Sequence, residues 1–203
     1  MIKQREPVEQ LVQLSYLLII TPAIVVSISC AFFRYEIIDL LYDEHIKTSA
    51  SVFGKLIFSF LGMCTTYIFG TLLTANGNLK ILNMIAGGGV AINIVLNLIL
   101  IPKYGVQGAA ITNISTQIYM TIAQITLSTR LFRFRINYKI IGILIIFVPL
   151  LILSGYLIKL LKINWIAGFI LIMSAGIIFG FIVRLLNLKT LYQIIRYDDN
   201  IKN

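Results

Sequence analysis

The chain reads as an all-α, polytopic membrane protein, and three observations carry that reading. Hydrophobic residues fill 59% of its 203 positions and charged residues 12%, whereas a soluble domain averages about a quarter charged. Six apolar runs each approach or exceed the roughly 20 helical residues needed to cross a hydrocarbon core. The lysines and arginines collect in alternate connections between those runs, which is how topology is written in a membrane protein. The formal net charge of +9 is therefore a membrane signal, and no nucleic-acid partner is expected. Cys30 and Cys64 lie inside apolar runs and His45 is the single histidine, so neither a disulfide, a metal site nor a cofactor is expected.

The six predicted transmembrane helices are Leu11 to Phe33, Val52 to Thr74, Ile81 to Ile101, Val106 to Thr129, Ile140 to Ile158 and Ile163 to Val183. The segment before them, MIKQREPVEQ, is polar, and the first run is too long for a signal-peptide core, so no cleavage is expected. Pro22 near the middle of the first run removes a backbone hydrogen bond and predicts a kink. The stretch from Arg34 to Ser51 is the one long loop on its side. Its alternation of Ile37, Ile38, Leu40 and Leu41 with charges predicts a short helix on the membrane surface. Asp39, Asp43, Glu44 and His45 are better explained as a solvated acidic loop than as a metal or acid-base site, because one histidine without fixed partners makes a poor ligand set.

In the second run Lys55, Ser59, Gly62, Thr66 and Gly70 fall within an arc of about 80°. That polar, small-residue face should turn into the bundle and take Lys55 with it. The competing account is that Lys55, a turn from the boundary, snorkels to the headgroups. In the third run Asn83, Gly87, Asn93 and Asn97 share an arc of about 120°, and Gly87-Gly88-Gly89 thins the helix for a neighbour. Pro102 is expected to end this helix, and Gly105 to reverse the chain. The fourth run opens with Gly108, Ala109 and Ala110, small enough for close approach. It carries Asn113, Gln117, Thr121, Gln124 and Ser128 within about 80°. Such side chains serve helix packing, or line a hydrated path offering donors and acceptors to sugar hydroxyls. RLFRFRINYK suits anchoring to anionic lipid. The last two runs, with Gly176 and Gly180 at GxxxG spacing, look lipid-facing and peripheral, and a short amphipathic tail follows them.

The run NIVLNLILIPKYGVQGAAIT, from Asn93 to Thr112, resembles the helix hairpin near the end of the bacterial oligosaccharide and polysaccharide flippases, in the superfamily of the MATE-type exporters. Those proteins read Asn, an apolar run, Leu-Ile-Pro-x-Tyr/Phe-Gly, two residues, then Gly-Ala-Ala-Ile. Leu40-Leu41-Tyr42 and LTANGNLK (73–80) resemble the family's two preceding connections, so the likeness covers about residues 10 to 135. It implies that residues 1–135 correspond to the last four helices of a second transporter lobe. Residues 136–203 then correspond to an additional helix pair with a cytoplasmic tail. The chain is accordingly expected to be a fragment or one half of a split protein, partnered by the missing N-terminal helices in cis or as a separate chain.

The function so implied is part of a flippase moving a lipid-linked oligosaccharide, of the polyprenyl pyrophosphate type, across the bacterial cytoplasmic membrane for surface polysaccharide synthesis. It is transport rather than enzymology, with no catalytic residue. The candidate substrate-binding residues are Lys55, Ser59, Thr66, Asn93, Asn97, Asn113, Gln117, Thr121 and Gln124, the lysine for the pyrophosphate. A cation-coupled multidrug exporter and a non-catalytic membrane assembly subunit are the alternatives. The exporter would want a carboxylate inside a helix, and all eight acidic residues lie outside the six runs.

Eleven basic residues fall on the side of the N-terminus and six on the other, so both termini are expected to be cytoplasmic. From a background lacking Cys30 and Cys64, His45→Cys should react with an impermeant thiol reagent in intact cells and Arg133→Cys should not. The reverse pattern would invert the topology.

Overall fold

A computed structural model describes residues 5–134, 137–183 and 185. Among these residues seven helices form: α1 (Arg5–Phe32), α2 (Arg34–Leu41), α3 (Ile46–Ala75), α4 (Leu79–Tyr104), α5 (Val106–Phe132), α6 (Tyr138–Leu160) and α7 (Trp165–Ile182). Five of them, α1, α3, α4, α6 and α7, are long and apolar enough to cross a membrane. The protein is a polytopic all-α membrane protein. The remaining predicted span, α5, has 27 residues, about 40 Å at 1.5 Å per residue, but its polar stripe leaves it outside that apolar set. Between consecutive long helices three connections have four residues or fewer: Asn76 to Asn78, Gly105 alone, and Leu161 to Asn164. The helices they join therefore run antiparallel.

The helices stand in a row, α4 on α5, α5 on α3 and α3 on α1, with α6 and α7 closing the far side of α1. The main core is built there. Leu17, Ile20, Ile24, Val25 and Ile28 of α1 meet Phe147 and Leu151 of α6 and Ile172 of α7, the last three fully buried. The final helix pair is at the edge of the bundle and mostly exposed, as expected, while its inner side completes this core. Each of the two keeps a single buried stripe, and on α7 it is Gly168, Ile172, Gly176 and Gly180. A Cβ on Gly176 would lie 2.6 Å from Val25 Cγ1, so the predicted small-residue seam exists and α1 is what fills it.

Helix ends differ from the apolar runs for identifiable reasons. The short helix expected in the 34–51 stretch is α2, which occupies its first half, but the second half is not loop: α3 begins at Ile46, with only Tyr42 to His45 between them. α2 packs on α3, buries Ile38 and leaves Leu40 and Leu41 exposed. Pro102 does not end α4. It forfeits one hydrogen bond, yet the helix continues to Tyr104 and closes with Gly105 N–H donating to the Ile101 carbonyl at 2.8 Å. Termination belongs to Gly105, at φ 57° and ψ −134°, a conformation that glycine adopts freely and other residues do not. α1 likewise continues through Pro22. Of RLFRFRINYK, Arg135 and Ile136 lie outside the described residues, as does the tail beyond Val183 except Leu185.

The α4–α5 hairpin closes where its glycines are. A Cβ on Gly108 would sit 2.2 Å from the Leu100 carbonyl oxygen, a backbone atom that has nowhere to go. Tyr119 and Met120 of α5 press into Gly88 and Gly89, whereas Gly87 faces open space. Gly108→Ala should therefore lower stability in detergent by roughly 1 to 3 kcal/mol, and Gly87→Ala should stay within about 0.5 kcal/mol of the parent. Equal melting of the two variants would show that the hairpin is not this tightly closed.

Candidate functional site

Several short hydroxyl side chains in this bundle satisfy themselves. Thr65 donates to the Leu61 carbonyl, Thr71 to Tyr67, Thr116 to Thr112 and Thr129 to Ile125, the back-bond that serine and threonine make to the preceding turn. Amides have more donors and acceptors than one turn can answer, so they reach across helices.

On the α3–α5 seam, Lys55 Nζ donates to Gln107 Oε1. Thr121 Oγ1 donates to the Gly62 carbonyl at 3.4 Å, and Gln117 packs over the same glycine. Gln124 is buried against Gly70 with its Oε1 unpartnered. Ser59 is also buried and its hydroxyl has no partner among the described residues. Most of the predicted α3 face thus meets the predicted α5 face. Lys55 stands level with the start of α5, beside the hairpin turn, rather than in the middle of the span. Gln107, which sequence reasoning passed over, holds it there, and its position two residues after the Gly105 turn is the signal that would have found it.

The other predicted residues part company. Asn93 Nδ2 donates to Thr116 Oγ1 at 3.3 Å, and Asn97 Nδ2 to Asn93 Oδ1 at 3.0 Å, so both belong to the α4–α5 seam on the opposite flank of α5. Asn113 is exposed, as is Asn83. Thr66 bonds back to the Met63 carbonyl. The nine residues do not line one cavity, because α5 stands between the stripes of α3 and α4.

What does form is a furrow along α1. α3 and α6 pack on different flanks of α1 and scarcely touch each other, which leaves a wedge between them. Its middle, about 370 Å³, is lined by Ser59, Thr65, Gln117 and Thr121 among apolar residues of α1, α5 and α6. At Phe58 it adjoins a cavity of about 410 Å³ beside α2, which Arg34, Tyr35, Tyr156 and Lys159 border. At Tyr16 it adjoins a cavity of about 230 Å³ at the opposite end, bordered by Glu9, Gln13, Thr129 and Asn137. Tyr16 rests on Phe69 with ring centroids 5.8 Å apart. A second recess of about 370 Å³, between α4 and α5, contains Asn93 and again Gln117.

The Lys55–Gln107 bond makes a measurable claim about this seam. A double-mutant cycle of Lys55→Met and Gln107→Leu, read from unfolding in detergent, should give a coupling of about 1 kcal/mol. Strict additivity would mean that Lys55 reaches the headgroups instead.

No family model matches the chain, and no solved structure matches it. An uncharacterized membrane protein of Methanocaldococcus jannaschii is 32% identical over 109 residues, which make up 54% of this chain and 21% of that protein. The chain thus spans about a fifth of the length of the curated relative that it matches, and the two share the character of membrane proteins.

Proposed function

We propose that the chain forms part of a flippase that carries a lipid-linked oligosaccharide across a cytoplasmic membrane, with both termini on the cytoplasmic side. The observation that carries this reading is the middle of the furrow. Ser59, Thr65, Gln117 and Thr121 line a recess at the level of the lipid tails, and Ser59 is 6% exposed with a hydroxyl that no described residue engages. Thr65 and Thr116, by contrast, bond back to their own helices. A recess of uncharged donors and acceptors suits sugar hydroxyls, while its apolar rims suit the lipid chain that travels with them.

Lys55 takes the role of a pyrophosphate contact near one end of the path, with Gln107 holding it until the ligand arrives. A cation-coupled exporter would want a carboxylate in the same place, and the middle of the furrow is lined by hydroxyls and an amide instead. The resemblance of residues 93–112 to the flippase hairpin supports the same reading. So does the greater length of the archaeal relative, since alternating access needs a second lobe to supply the facing wall. The working transporter is therefore this chain together with further helices, in cis or as a separate chain.

Complementation of a strain lacking its glycan flippase tests the proposal, with membrane levels quantified in parallel. The 203-residue chain alone should not restore export, and co-expression with a matching N-terminal lobe should. In that assembly Lys55→Arg should keep most of the export and Lys55→Ala should lose it. Ser59→Leu should block the recess at unchanged abundance. Full export by all three variants would remove the furrow and Lys55 from the path, and robust rescue by the chain alone would refute the need for a second lobe.

A further inference from the structure

The end of the furrow beside α2 has a chemistry of its own. Its walls are apolar, with Ile28 and Phe32 from α1, Phe58 from α3, and Val148 and Ile152 from α6. Phe58, Ile152, Tyr35 and Tyr156 are exposed, so the groove opens sideways, toward the space that lipid occupies around a spanning bundle. Two cations stand at its mouth, Arg34 at the start of α2 and Lys159 at the end of α6. This is the boundary level at which headgroup phosphates lie.

Arg34 has no ion-pair partner among the described residues, and Lys159 is paired only at long range. The Arg34 guanidinium lies 5.0 Å from the centroid of the Tyr35 ring. Its chain crosses α3 at Gly54, where a Cβ would come within 2.9 Å of Arg34 Cδ, so the absence of a side chain at that position is what lets Arg34 lie there. Lys159 Nζ is 5.8 Å from the Phe33 ring centroid and 3.9 Å from Glu36 Oε1. That last distance exceeds a hydrogen bond, so the ammonium retains its donors. Glu36 Oε2 is buried while its Oε1 faces the Lys159 ammonium. The mouth therefore offers two positive groups against one carboxylate, which leaves an excess of positive charge.

We propose that this end of the furrow binds one anionic phospholipid, its phosphate between Arg34 and Lys159 and one acyl chain along Phe58, Val148 and Ile152. The apolar groove selects a lipid over a free anion, and the excess of positive charge selects an anionic headgroup over a zwitterionic one. The site does not depend on the flippase reading, because it is defined by binding and not by transport.

The test is native mass spectrometry of the 203-residue chain in detergent, titrated separately with phosphatidylglycerol, phosphatidylcholine and glycerol 3-phosphate. One phosphatidylglycerol should be retained, about tenfold more tightly than phosphatidylcholine, and glycerol 3-phosphate should not be retained. The Arg34→Gln/Lys159→Gln variant should lose the preference between the two lipids. Ile152→Trp, which keeps both cations and fills the groove, should lose retention of both. Equal binding of the two lipids by the parent chain would overturn the proposal, as would a preference that survives loss of both cations. Glycerol 3-phosphate binding as tightly as the lipid would make the site one for small anions. Should the double variant fail to fold, undiminished phosphatidylglycerol binding by Ile152→Trp would overturn it alone.

Discussion

Hydrocarbon offers the side chains of α5 nothing to bond with, and much of the bundle is arranged to answer them. Water would satisfy Gln117, Thr121, Gln124 and Ser128 at no structural cost. In a bilayer each of them must be covered by protein or by a polar ligand. α3 covers one flank with small residues, so that Thr121 reaches the Gly62 carbonyl and Gln124 settles against Gly70. α4 covers the other flank, with Asn93 meeting Thr116. The helix least able to face lipid stands between two that shield it. Coverage is incomplete at Ser59, Gln124 and Ser128, whose buried polar atoms find no partner among the described residues. Those positions are where a polar ligand or water gains most by entering.

Close approach supplies the attraction that the hydrophobic effect cannot provide between helices in lipid. It is purchased with glycine at two seams. Between α4 and α5, Gly108 lets the start of α5 touch the backbone of α4, and Gly88 and Gly89 receive Tyr119 and Met120; the α7 stripe admits Val25 of α1 and Phe33, which follows α1. Backbone or large side chains of one helix enter the thinned face of another, and contacts of that kind fall off within an ångström. The packed seams are therefore rigid, whereas the flanks between them are left open.

The furrow is the complement of those seams. α1 receives α3 on one flank and the α6–α7 pair on another, and no glycine seam draws α3 and α6 together. The resulting wedge changes character along its length. It is hydroxyl- and amide-lined in the middle, cationic and aromatic beside α2, and bordered by Glu9, Gln13 and Asn137 at the opposite end.

Much of this was legible in the residues themselves. The 3.6-residue period puts Lys55, Ser59, Gly62 and Gly70 on one face of α3 and Gln117, Thr121 and Gln124 on one face of α5, and lipid then requires those faces to be covered. Gly105 as the reversal point and Gly108 as a point of close approach follow from local stereochemistry, since only glycine suits that φ and that distance. Pro102 reads as a stop in the sequence, yet proline forfeits only its own hydrogen bond and Gly105 after it still finds the Ile101 carbonyl. The start of α3 lies ahead of its apolar run because Lys47, Thr48 and Ser49 are polar, and a helix prolonged beyond the hydrocarbon needs no apolar side chains there. Whether separate polar faces share one space is a different kind of fact, set by the order in which helices pack. Period and composition on α3, α4 and α5 are the same whether α5 stands beside the other two or between them. Only the packed structure puts Asn93 and Asn97 on the far flank from Ser59, and brings Arg34 of α2 and Lys159 of α6, remote in the chain, to the mouth of one groove. Membrane class, helix faces and turns were written locally, by hydrophobicity, period and backbone stereochemistry. The furrow and its cationic end were decided by α1 holding α3 and α6 apart.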